Sequence, residues 1–215
     1  MREFIDPKLI NLMVSENRLE RFDLVSKNRI KNLTAVYDRI SDPHNVSACI
    51  RSAENFGLSE VYFLTPEKFK GNRKVTANAD QWITVNQFQE SSELLGELKS
   101  KGYTLAAAVP LRSAIDFQEI AVPEKLAVIF GAEKWGISEE MVSQCEYLIT
   151  IPSVGFTESL NISTANAIML QYFSREFRKC TDNILTPAER EKLKENWIRR
   201  EIIQKTRGNL DPLLR

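Results

Sequence analysis

The spacing of apolar residues changes several times along the chain. Over residues 8–27, Leu9, Leu12, Met13, Leu19, Leu24 and Val25 recur at roughly helical intervals, and Lys8, Arg18, Arg21 and Lys27 take the other face. That spacing predicts an amphipathic helix. TAVYDRI (34–40) is a β-rich run that Asp42-Pro43-His44-Asn45 breaks. A helix is predicted over 45–56, with Val46, Cys49, Ile50, Ala53 and Phe56 on one face and Gly57 as its stop. VYFLT (61–65) and WITVNQF (82–88) predict strands, and SSELLGELKSKG (91–102) predicts a helix ending at Gly102. TLAAAV (104–109), LAVIFG (126–131) and YLITIP (147–152) are short and nearly continuously apolar, as strands buried on both faces are. SEEMVSQC (138–145) predicts a helix, and a long one runs from Asn161 to about Lys179. Thr186-Pro187-Ala188-Glu189 opens a last helix reaching about Arg207, with a capping hydroxyl, a first-turn proline and a Glu at the third position.

Strands alternating with helices predict an α/β fold with a mostly parallel sheet. The expected organisation is an N-terminal helical extension (1–31), a central domain (32–180) and a C-terminal helical extension (181–215). Lys plus Arg and Asp plus Glu both number 29, so net charge is zero and a polyanionic partner has to be argued from where the charges sit. Cys49, Cys145 and Cys180 form no CxxC pair, which fits a reducing compartment and supplies no zinc ligand set. The opening residues have no signal-peptide character and no run nears about 20 apolar residues, so a cytoplasmic protein without a membrane span is expected. His44 is the only histidine, which removes Ser-His-Asp catalysis elsewhere and multi-histidine metal sites; no metal is expected. No two of the eight glycines are separated by a single residue, so the dinucleotide fingerprint is missing. Residues 131–138 have the glycine spacing of a P-loop but Ile137-Ser138 where Lys-Ser/Thr is required.

Three segments, each following a predicted strand, concentrate polar residues at one edge of the sheet, where such folds bind ligands. In Asp42-Pro43-His44-Asn45-Val46-Ser47-Ala48-Cys49-Ile50-Arg51, Asn45 sits at a strand-to-helix junction and also suits an N-cap. Arg51 lies among apolar neighbours, so it is either paired with a carboxylate or aimed at a phosphate or ribose. In Phe130-Gly131-Ala132-Glu133-Lys134-Trp135-Gly136, Gly131 would admit a ligand close to the backbone, and Glu133 also suits a helix start. Ile151-Pro152-Ser153-Val154-Gly155-Phe156-Thr157-Glu158-Ser159-Leu160-Asn161 delivers Ser159 and Asn161 just before a long helix, where a turn residue and an N-cap would explain both without function.

Together these segments resemble the three motifs of the SPOUT superfamily, in its SpoU branch of RNA ribose 2′-O-methyltransferases. The resemblance spans about residues 32–176. Within that branch, DPHNVSACIRSAENFGLSEVYF, VIFGAEKWGISEE and ESLNISTANAIML look most like TrmH-type tRNA enzymes acting on the D-loop guanosine at position 18. Asp42 stands where many relatives have Asn, and TANADQWITV (76–85) lacks the glycine-serine character common there. The resemblance implies a deep trefoil knot over about 126–165, a homodimer and S-adenosylmethionine as methyl donor. It implies a catalytic role for Arg51, helped by Asn45, with Glu133, Ser159 and Asn161 at the remaining polar positions. It also implies a cofactor pocket lined by Ala108, Val109, Gly131, Ile151 and Leu160. A guanidinium stays protonated below about pH 12, so Arg51 is expected to bind phosphate and stabilise a developing alkoxide rather than act as a base. Arg18, Arg21, Arg175, Arg178, Arg199 and Arg200 are candidate RNA contacts, or else solubilise their helices and pair with nearby Glu20, Glu189, Glu191 and Glu201. Competing readings are the same chemistry on rRNA or a tRNA anticodon loop, an RNA-binding protein without catalysis, and a nucleotide-dependent oxidoreductase.

Overall fold

The computed structural model describes residue 10, residues 12–66 and residues 79–206. Lys8, Leu9, Arg207 and the start of the 76–85 stretch lie outside the described residues. In chain order the described elements are α1 (Glu16–Ser26), β1 (Leu33–Asp38), α2 (Pro43–Asn55), β2 (Glu60–Leu64), β3 (Thr84–Phe88), α3 (Ser91–Ser100), β4 (Thr104–Ala108), β5 (Ile115–Asp116), β6 (Leu126–Gly131), α4 (Glu139–Val142), β7 (Tyr147–Thr150), α5 (Ile162–Phe177) and α6 (Pro187–Lys205). They divide into two compact units, one from Ile30 to Asn183 and one formed by the chain on either side of it.

The central unit is a seven-stranded sheet in the order β3-β2-β1-β6-β4-β7-β5. Every neighbouring pair is parallel. The nearly continuous apolar runs occupy its middle, where β1 and β6 pair from Leu33–Leu126 to Asp38–Gly131, and both faces are covered. On one face Val36, Tyr62, Leu64, Leu105 and Ile129 pack with Leu94 and Leu98 of α3 and Met141 of α4. On the other, the Tyr37 ring stacks on Phe130 and meets Phe63 at a tilt. There the Tyr37 hydroxyl donates to Asn166 Oδ1 of α5 at 3.0 Å and to the Cys49 carbonyl of α2 at 3.4 Å. This fully buried bond ties together the two helices that start nearest the strand ends.

The second unit pairs α1 with α6. Phe22 and Trp197 meet at 5.6 Å between ring centroids, and Arg29 lies 5.4 Å from the Trp197 ring. Arg18 reaches Glu201 at 3.1 Å and Lys194 reaches Asp23 at 3.3 Å. The capping box at Thr186 and Glu189 forms as its sequence predicts, with both reciprocal hydrogen bonds in place. Among the described residues no helix is long and apolar enough to cross a membrane.

Four elements differ from the sequence reading. The helix expected over 8–27 is broken at Ser15, whose extended backbone (φ −66°, ψ 152°) starts α1 at Glu16. The helix expected at 45–56 begins at Pro43, because Asp42 is the residue that caps it. The helix expected over 138–145 is only Glu139–Val142, since Gln144 and Cys145 close three-residue turns back to Met141 and Val142. β5, only two residues long, has no apolar run to announce it and forms by pairing with β7.

Candidate functional site

The carboxyl ends of β1, β6 and β7 carry the three motif segments. At the end of β1, Arg39 adopts a left-handed conformation (φ 54°), and its amide donates to the Leu64 carbonyl at 2.9 Å. That turn releases the chain from the sheet ahead of Asp42, which caps α2 by accepting from the His44 amide at 2.9 Å. Asn45 is therefore not the N-cap. It stands one turn inside, 7% exposed, and its amide is left for other partners.

Those partners come from both other segments. Asn45 Nδ2 donates to Glu133 Oε1 in a short hydrogen bond and to Asp42 Oδ2 at 3.2 Å. Asn161 Nδ2 donates to the same Glu133 oxygen at 3.0 Å and to Asn45 Oδ1 at 3.2 Å. Asn161 is also the N-cap of α5, accepting from the Ser163 amide at 2.8 Å. Asn161 thus has two sets of partners: its side-chain carbonyl caps the helix while its amide joins Asn45 and Glu133. Glu133 starts no helix. It lies in a tight loop closed by the bridge between Ala132 and Gly136, where the Gly136 amide donates to the Ala132 carbonyl at 2.7 Å. Gly131 is obligatory there, since a Cβ would fall 2.1 Å from the Gly136 carbonyl carbon.

Arg51 is exposed on α2 and makes no hydrogen bond or ion pair among the described residues, so of its two sequence readings the carboxylate partner is not found. Ser159 and Leu160 are exposed in the loop before α5, and Ile151 is half-buried at the end of β7. Ala108, Val109 and Gly131 are likewise half-buried at the ends of β4 and β6. These strands are neighbours in the sheet, so the pocket candidates share one edge. Beneath the site, burial and the nearby Glu133 charge push the Cys49 thiol up to about 12; it is a core residue without nucleophilic character. No cluster among the described residues has the make-up of a metal site.

Residues 32–171 match the SpoU rRNA methylase family. The chain belongs to that family. A tRNA (guanosine(18)-2′-O)-methyltransferase of Borreliella burgdorferi is similar, 31% identical over 90% of this chain and 90% of its own. One from Thermus thermophilus is 30% identical over 86% of this chain and 98% of its own. Among solved structures, the A. aeolicus TrmH/SpoU tRNA modifying enzyme superposes with a TM-score of 0.79 at 27% identity, covering 87% of this chain and 98% of that one.

The candidate RNA contacts of this SpoU-family chain have different surroundings. Arg18 is held by Glu201 and lies over Phe22. Arg178 donates to the Phe56 carbonyl at 2.6 Å and so serves the end of α2. Arg199 is exposed and Arg200 half-buried, each with contacts of its own. Arg21 and Arg175 are exposed and carry no partner among the described residues. A role that sequence reasoning overlooked is that of Asp42 as the cap of α2, noted only as part of a strand break and as a departure from relatives; an Asx-Pro pair at a helix start was the available signal.

Proposed function

We propose that this protein methylates the ribose 2′-hydroxyl of guanosine 18 in the D-loop of tRNA, using S-adenosylmethionine. The observation that carries the reading is the extent of the likeness. The family core ends at residue 171, whereas the tRNA guanosine-18 enzymes match 86–90% of this chain. The tRNA modifying structure covers 87% of it, more than residues 30–183 can supply. The likeness therefore includes part of the terminal helical unit, which a catalytic core acting on another RNA would not require.

S-Adenosylmethionine supplies a methyl group on a positively charged sulfur, so neither metal nor oxidant is needed. The edge formed by Ala108, Val109, Gly131, Ile151 and Leu160 suits it: small or apolar side chains with backbone groups available at strand ends. Arg51, exposed and cationic, binds the phosphate beside the target ribose and stabilises the oxygen as its proton leaves. Glu133 Oε1 fixes the amides of Asn45 and Asn161, while Oε2, without a partner among the described residues, receives that proton. Ser159 orients the ribose from the loop before α5.

The same reading includes the trefoil knot over 126–165, a cytoplasmic location and a homodimer. For the dimer, support comes from large apolar side chains left exposed near the site: Ile115, Leu148, Leu160 and Ile168 at 44%, 37%, 43% and 38%, and Phe156 fully. Light scattering at micromolar concentration is expected to give twice the chain mass; a monomer counts against the dimer.

The test of function is transfer of labelled methyl from S-adenosylmethionine to tRNA and rRNA, followed by nucleoside mapping. Label is expected at guanosine 18 and is lost when that nucleotide lacks its 2′-hydroxyl. Label confined to rRNA or to an anticodon loop refutes the substrate and retains the chemistry.

A further inference from the structure

Glu133, which holds Asn45 and Asn161, sits in a loop that a buried side chain of β1 also reaches. Asp38 is the last residue of β1, 1% exposed, and stands opposite Gly131 in the β1–β6 register. Its Oδ2 accepts from the Ser138 amide at 2.7 Å, at the far end of the loop that leaves Gly131. The loop is thereby closed twice, by the Ala132–Gly136 bridge and by Asp38. Glu133 lies inside both closures.

The arrangement has an energetic cost that packing does not explain. Asp38 Oδ1 and Ser138 Oγ are both buried without a hydrogen-bond partner, and Arg39 Nε approaches that Asp38 oxygen no nearer than 3.8 Å. A small apolar residue would avoid the desolvation penalty, yet could not receive the Ser138 amide. We propose that Asp38 is a positioning residue for the methyl transfer described above, anchoring the 131–138 loop so that Glu133 meets Asn45 and Asn161. This rests on the proposed function only for its catalytic consequence; the anchoring itself does not.

Ser138 offers an independent handle. Its backbone (φ −62°, ψ 146°) already matches proline, so Ser138→Pro removes the donor with Asp38 intact. The experiment compares Asp38→Ala, Ser138→Pro, their double variant and Asp38→Asn, reading steady-state methylation of tRNA and amide hydrogen exchange. Asp38→Ala and Ser138→Pro are each expected to speed exchange across 132–137 and to lower kcat by about tenfold, with KM for tRNA within about threefold. The double variant is no worse than either single, because both remove one bond. Asp38→Asn keeps an acceptor oxygen and stays within about threefold of wild type. Unchanged exchange in both single variants overturns the anchor. Faster exchange with wild-type kcat overturns the positioning role, and so does faster exchange spread equally through α3 and β2. If the wild-type protein methylates no tRNA, the proposed function fails while the exchange arm still decides the anchor.

Discussion

The sheet unit and the terminal helical unit treat their polar side chains in opposite ways. In the sheet unit, three of the buried polar groups, Asp38, Asn45 and Asn166, 1%, 7% and 0% exposed, each have a long-range partner. Around them Arg51 is left without a partner among the described residues. In the terminal unit the charged groups are turned on one another, Arg18 on Glu201 and Lys194 on Asp23, with Arg29 over Trp197. One unit ties amides to a carboxylate at its strand ends, and the other uses charge to join two helices. A basic helix is thus not by itself an RNA-binding face, since part of its charge is already neutralised within the fold.

The largest expected effect breaks the terminal unit alone. Trp197 is 1% exposed, and Trp197→Ala is expected to cost that unit about 3–5 kcal/mol. Hydrogen exchange should rise through α1 and α6, while calorimetry shows unchanged S-adenosylmethionine affinity. Next is Arg51→Ala, expected to lower turnover by more than about tenfold, at least about 1.4 kcal/mol of barrier, again with cofactor affinity intact. A smaller loss would return Arg51 to an ordinary surface residue.

A finer comparison separates the arginines. Arg21→Gln and Arg175→Gln are each expected to reduce the log–log salt slope of tRNA binding by somewhat under about one unit. Arg18→Gln leaves the slope unchanged and weakens the packing of α1 on α6 by about 0.2–1 kcal/mol, as loss of a part-exposed pair does. Filter binding at several salt concentrations and urea unfolding distinguish them; equal slopes for all three variants would erase the distinction. The smallest effect is in pH dependence. Hydrogen bonds from Lys27 and then Lys194 hold the Asp23 carboxyl below its ordinary value. Its contribution is therefore complete above the ordinary carboxylate range and is lost as pH falls through the lowered folded value. Asp23→Asn is expected to remove that part of the acid sensitivity of α1 and α6, measured by urea midpoints from neutral pH down to about pH 2.

Much of the fold was legible because apolar runs and glycine stops are local signals. The strand at 126–131 is observed with the same ends, and Gly57 and Gly102 follow their helices with φ of 88° and 78°. The edges were harder to read. β5 depends on β7 rather than on its own two residues, and no Pro or Gly marks the break at Ser15. At the site, residue identities were readable but roles were not. Asn45 suits an N-cap in sequence, and only folding shows that Asp42 caps the helix while Asn45 meets Glu133, 88 residues away along the chain. The pairing of Arg18 with Glu201 was among the open alternatives, whereas the tie of Arg178 to the Phe56 carbonyl, 122 residues distant, was hidden for the same reason.

The pairing of α1 with α6 also sets an order of events during synthesis. Phe22 waits for Trp197 to be made, and at about 5–20 residues per second that delay is on the order of ten to thirty seconds. The sheet between them is complete well before the wait ends. During that interval the nascent α1 presents Phe22 and Val14, buried in the finished protein at 4% and 1% exposure, to whatever surrounds the ribosome. The early helix is consequently a segment whose apolar face stays uncovered until the last helix is made.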